Sequence, residues 1–130
     1  MKAHDVMAKA VQAVASARLL LATGDTDGAC NRAYYAMFDA ARAALLASGH
    51  EIGKTHKGVL HAFSEHLIKT ARLPKETGRQ LKHAETFRYV ADYEGISVEP
   101  DDASSMVEQA ITFVAAMQSE FMPAPSNDDS

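Results

Sequence analysis

Tryptophan is absent from the chain, and Cys30 is its one cysteine. A single cysteine excludes an intrachain disulfide and any Cys-x-x-Cys redox or zinc motif, and it suits a reducing compartment. No segment alternates apolar and polar residues at the β period, and there is no internal repeat or low-complexity block. The phosphate-cradling and nucleophile patterns GxxxxGK[ST], GxGxxG and GxSxG are all missing, so classical nucleotide-hydrolase and serine-hydrolase readings have no support. Six histidines are present, but His56, His61 and His66 step by five residues, which turns each about 140° from the last on a helix. No i, i+3 or i, i+4 histidine pair exists, so no metal and no cofactor is expected. Asp5, Lys9 and Arg18 interrupt the apolar pattern of the first twenty residues, and no apolar run approaches a membrane span. The expectation is a cytoplasmic protein without membrane association.

What is present favours helices. Hydrophobic residues make up 47% of 130 residues, enough for one core without metal or disulfide staples. Alanine dominates, and small side chains let helices approach closely. The net charge is −4, unevenly spread: residues 1–49 hold five Lys/Arg and four Asp/Glu, residues 50–90 eight and four, and residues 91–130 none and nine. The overall charge gives no general attraction for nucleic acid, whereas the basic middle segment, with Lys54 and Lys57, suits phosphate or an acidic partner. Solvated helix faces would give the same pattern.

Five helices are predicted. The first spans about Ala3–Ala22, with Val6, Ala10, Ala13, Val14, Ala17, Leu20 and Leu21 on one face and Gly24 as a left-handed stop. The second starts at Thr26 or Asp27, runs to about Ser48, and buries Cys30, Ala33, Tyr34, Met37, Ala41, Ala44 and Leu45. The third begins near Thr55 and turns Val59, Leu60, Phe63, Leu67 and Ile68 inward. The fourth starts with Pro74 in its first helical position and runs to about Tyr93, where Gly95 breaks it. The fifth begins between Ser97 and Asp102 and buries Ala103, Met106, Ala110, Val114, Met117 and Phe121. Short connections favour antiparallel neighbours, so the fold class is an all-α antiparallel bundle of four to five helices over residues 1–122. The tail, residues 123–130, has turn formers and charge without apolar pattern and is expected to be disordered.

Polar residues inside these helices are the candidate site. Arg32, Tyr35, Asp39 and Arg42 fall at steps of three, four and three on the second helix, one stripe beside the apolar one. Arg88 and Asp92 are four apart on the fourth helix, with Tyr93 beyond. Such an Arg–Asp pair is either a helix salt bridge worth a few tenths of a kcal/mol or part of a polar site between the two helices.

The run Asn31-Arg32-Ala33-Tyr34-Tyr35-Ala36-Met37-Phe38-Asp39-Ala40-Ala41-Arg42 resembles the second-helix signature of the HEPN domain family. So do Lys54-Thr55-His56-Lys57-Gly58-Val59 followed by Phe63, and Arg88-Tyr89-Val90-Ala91-Asp92-Tyr93 followed by the last helix with Phe113-Val114. The blocks occur in family order, and the likeness covers about residues 3 to 121; the nearest branch is that of small stand-alone prokaryotic members. The resemblance implies an antiparallel helical bundle, a symmetric homodimer and a minimal nucleotidyltransferase partner in a toxin–antitoxin pair. It also implies metal-independent ribonuclease chemistry at an Arg-x(4–6)-His motif, in which Arg stabilises phosphate charge and His moves the proton.

The chain departs from that motif. Arg79 and His83 have only three residues between them, and no His follows Arg88, where Asp92 and Tyr93 stand instead. Arg88, Asp92 and Tyr93 are accordingly the candidate catalytic residues, and Arg32, Tyr35, Asp39, Arg42, Lys54 and Lys57 the candidate nucleotide- or RNA-binding residues. Arg88 to Tyr93 matches the Arg-x(4)-Tyr pattern of this branch, which makes Tyr93 the expected target of adenylylation by the nucleotidyltransferase; packing of Tyr93 against the core is the alternative. Two functions stay open: a toxin-type component directed at RNA, with or without ribonuclease activity, and a non-catalytic subunit that docks nucleotide, RNA or a partner.

Overall fold

The structure is a computed structural model in which residues 2–122 are described. The expected disordered tail, residues 123–130, lies outside the described residues. Helices α1 (Ala3–Ala22), α2 (Thr26–Ala47), α3 (His56–Phe63), α4 (Lys75–Glu94) and α5 (Pro100–Phe121) follow one another without a strand among the described residues. This is the predicted all-α bundle.

The alanine-rich α2 is its centre. Its buried residues include Ala29, Ala33, Tyr34, Met37, Ala40, Ala41, Ala44 and Leu45, and they cover more than one face because α1 and α5 pack on one side and α3 and α4 on the other. Ala10, Ala13 and Ala17 of α1 are buried against it. Ala103, Val107, Ala110, Val114 and Met117 of α5 complete the three-helix layer. Burial of this apolar surface is the main stabilising term, at roughly 25 cal/mol per Å².

Several boundaries differ from expectation. Asp25, not Thr26 or Asp27, caps α2: its carboxylate accepts from Gly28 N–H at 2.8 Å. Asp27 is thereby free to accept from the Val98 backbone N–H, also at 2.8 Å, and ties the start of α2 to the α4–α5 loop. Pro74 stands just outside α4 as its N-cap rather than inside it. The third helix ends at Phe63, and Ser64–Ile68 continue as a π-helical turn, closed by Lys69 N–H to the Ser64 carbonyl at 2.9 Å. That turn keeps Leu67 buried beneath Phe63 while Ile68 is only half-buried. Val14, Leu20, Leu21 and Leu60, expected on core faces, are likewise half-buried. Gly24 is the predicted left-handed stop, with φ of 89°, and Gly95, expected only to break the helix, is left-handed too, with φ of 68°.

Helix α4 differs from the others. Only Leu81 and Ala84 along its length are buried, while Tyr89, Val90 and Tyr93 are exposed, as is Ile96 just beyond. Its second half packs Phe87 and Ala91 against the core, only partly buried, and leaves other apolar residues facing solvent.

Candidate functional site

The site grows from α2. Tyr34 points into the core, wholly buried, and Tyr35 is half-buried one residue later. Their rings meet edge to face with centroids 5.3 Å apart. Phe38, one turn on, lies 6.1 Å from Tyr34 and 6.3 Å from Tyr35. Thr55 caps α3, its hydroxyl accepting from Gly58 N–H at 3.1 Å, and this sets His56 as the first helical residue. His56 closes the cluster, 4.6 Å from Phe38 and 5.5 Å from each tyrosine.

Two guanidinium groups lie on these rings. Arg88 of α4 stands 4.9 Å from the Tyr34 centroid and 5.8 Å from that of Tyr35. Arg32 stands 5.3 Å from the Tyr35 centroid. Cation–π attraction of this kind is worth about 0.5–2 kcal/mol, more as water is excluded. Arg88 Nη1 donates to Asp92 at 2.9 Å, with the Arg88 side chain 16% exposed and that of Asp92 40%. Arg88 is thus the sheltered member and Asp92 the rim. Arg32 Nε and Arg88 Nε are buried with no hydrogen-bond partner, the two such side-chain atoms among the described residues.

Burial and the adjacent Arg88 hold the His56 imidazole below its ordinary pKa, with Glu85 opposing. Burial raises the Tyr34 hydroxyl well above its usual value, helped by Glu85 and opposed by Arg88. At neutral pH both groups are uncharged, so the positive charge of the cluster rests on the two arginines.

The other predicted residues share no hydrogen bond or ring contact with this centre among the described residues. Asp39 is half-buried; burial raises its carboxyl pKa against the pull of Lys9, Arg42 and Arg32. Arg42 is buried, and its Nε donates to the Gly53 carbonyl at 3.3 Å, which ties the α2–α3 loop to α2. Lys54 and Lys57 are exposed and make no ion pair among the described residues. Tyr93 is 70% exposed and stacks on Tyr89 at 4.6 Å, so it does not pack against the core. Among the described residues no group of His, Cys, Asp and Glu is placed to hold a metal, and no helix is long and apolar enough to cross a membrane.

Sequence reasoning missed His56 and the second role of Tyr34. The sequence places His56 in a family-like block and Tyr34 on the apolar stripe, and gives neither a place in the site. The available signal was the Thr55-x-x-Gly58 cap, which puts His56 on the first turn of a helix packed against α2.

An all-helical bundle with a cluster of aromatic rings and two arginines where its second, third and fourth helices meet defines the class. The chain belongs to the HEPN domain family, whose family model matches residues 3–120. It is 38% identical over 113 residues to a UPF0332 protein of Gloeobacter violaceus, covering 85% of this chain and 89% of the relative. A UPF0332 protein of Thermotoga maritima is 33% identical over 111 residues, covering 85% and 83%. A Methanocaldococcus jannaschii protein described as a candidate toxin is 34% identical over 90 residues, covering 68% and 60%.

Proposed function

We propose that this chain is the RNA-directed toxin component of a toxin–antitoxin pair, acting in the cytoplasm through the cleft around Arg88. The observation that carries this reading is the pair of guanidinium groups with buried, unpartnered Nε atoms laid on adjacent tyrosine rings. A buried N–H without an acceptor costs about 1–3 kcal/mol. An anionic oxygen accepting from it would offset that cost, and the planar guanidinium suits phosphate. The relatives described as candidate toxins support the role. The test is induced expression of wild type and Arg88→Ala, scoring growth and RNA integrity. Arrest with the wild type and none with a folded Arg88→Ala is expected; equal arrest with both would place the activity elsewhere.

The proposed partners follow the family. A second copy of the chain would cover the exposed Tyr89, Val90, Tyr93 and Ile96 and extend the cleft across a two-fold axis. A minimal nucleotidyltransferase would modify Tyr93, whose exposed ring is accessible to an enzyme. Tyr93→Phe removes the hydroxyl and should end partner-dependent modification with fold and dimer intact; persistent modification would redirect attention to Tyr89, Tyr34 or Tyr35.

A non-catalytic docking subunit is the second reading. It is favoured by the Arg88–Asp92 pair, which partly neutralises the cleft, and by the lack of any His after Arg88. Binding of RNA without cleavage by purified protein would select it.

A further inference from the structure

His56 takes no part in the contacts assigned so far to Arg32 and Arg88. His56 Nδ1 lies 3.1 Å from the Tyr34 hydroxyl oxygen. Tyr34 is wholly buried, and this is the one hydrogen bond its hydroxyl makes among the described residues. A buried hydroxyl hydrogen with a single acceptor in reach goes to that acceptor. Tyr34 therefore donates, Nδ1 accepts, and the ring hydrogen of the neutral imidazole sits on Nε2. Nε2 makes no hydrogen bond among the described residues, and it is not one of their buried unpartnered side-chain atoms, which are Arg32 Nε and Arg88 Nε. His56 thus keeps an Nε2–H donor open to solvent.

We infer that His56 is a ligand-binding residue of the cleft: its Nε2–H donates to a phosphate oxygen of RNA held by Arg88, with Tyr34 as the positioning residue that fixes the tautomer. The inference rests on the RNA-binding reading above. Geometry supports a shared ligand, because the His56 centroid and the Arg88 guanidinium carbon stand 5.5 Å and 4.9 Å from the same Tyr34 ring. Both groups thus border one tyrosine ring, and consecutive phosphates of one strand are the ligand proposed to engage them. Charge supports a neutral donor. Arg88 and Glu85 of α4 face His56 with opposite sign, and the Tyr34 hydroxyl faces it from α2. Protonating Nδ1 would deprive the Tyr34 hydroxyl of its acceptor and add a third cation beside Arg88 and Arg32. A donor already neutral avoids both costs and needs no proton uptake to bind.

The test uses the purified full chain and a short single-stranded oligoribonucleotide. Affinity is measured for wild type, His56→Ala, Tyr34→Phe and Arg88→Ala, each checked for helical content, and imidazole nitrogen resonances of the wild type are recorded with and without RNA. At pH 7 His56 is expected as the Nε2–H tautomer, with its Nε2 resonance shifting on RNA addition. His56→Ala should weaken binding roughly tenfold, the loss of one hydrogen bond to a charged group. Tyr34→Phe should keep the ring but release the tautomer, giving mixed Nδ1–H and Nε2–H signals. Undiminished binding by His56→Ala, with Arg88→Ala impaired, would overturn the role of His56 and leave the cleft standing. A wild type that binds no RNA would overturn the cleft reading and this inference together. An imidazolium or an Nδ1–H tautomer at pH 7 would overturn the inference even if His56→Ala failed to fold.

Discussion

Arg88 combines a packing contact, an ion pair and an unpaired donor in one side chain. Its stem and guanidinium cover the Tyr34 ring, one η nitrogen is held by Asp92, and Nε is left unpaired. The neighbouring His56 makes stability depend on pH. Its folded pKa lies below the ordinary value, so the folded state binds fewer protons than the unfolded chain near pH 6. Its contribution is present above the unfolded pKa of about 6.5 and is lost as pH falls through the folded value. A thermal scan from pH 7.5 to 5 should show a falling midpoint, with a shallower fall in His56→Gln. Ala41 is wholly buried on α2, and Ala41→Leu should overpack the core at a cost of about 1–3 kcal/mol; unchanged thermal stability would mean the helix can shift to accept it. Ala71 has a φ of 62° without being glycine. Ala71→Gly should relieve left-handed strain and stabilise by about 1 kcal/mol in denaturant titration.

At the scale of elements, the apolar pattern made the helices legible, and local chemistry decided their ends. The i, i+3, i+4 spacing of Val6, Ala10, Ala13 and Ala17, and of Ala103, Met106, Ala110 and Met117, was enough to place α1 and α5, because each buries one face only. The cap of α2 was harder to read, since Asp25, Thr26 and Asp27 are all competent. What separates them is a long-range contact, the Val98 N–H that engages Asp27, and no local signal reveals that. Asp25→Ala should cost about 1 kcal/mol through loss of the Gly28 N–H bond, whereas Thr26→Ala should cost little; the reverse order would contradict the cap assignment. The π-helical turn was also invisible in sequence, because Phe63 and Leu67 keep ordinary helical spacing through it. For the site, the stripe on α2 and the Arg88–Asp92 pair were legible as same-face positions. The cluster with His56 was not, because it depends on how α3 packs against α2.

Across the whole molecule, charge and exposed apolar surface are segregated. The acidic last third keeps the net charge at −4, while Arg32 and Arg88 lie on the Tyr34–Tyr35 rings and Lys54 and Lys57 make no ion pair among the described residues. Local rather than global attraction should therefore govern RNA binding, and affinity should fall with salt with a slope set by a few phosphate contacts. The exposed Tyr89, Val90, Tyr93 and Ile96 should bring two copies together, and light scattering should give twice the 14.0 kDa chain mass. A single-chain mass across a wide concentration range would count against the dimer. The claim on which the rest depends is that the Arg88 cleft holds RNA phosphate. The most direct measurement is the affinity of Arg88→Lys for a short single-stranded oligoribonucleotide at fixed salt. Lysine keeps the charge but loses the planar fork and the packing over Tyr34, so the account predicts binding at least about tenfold weaker with unchanged helical content. Affinity equal to wild type would contradict it.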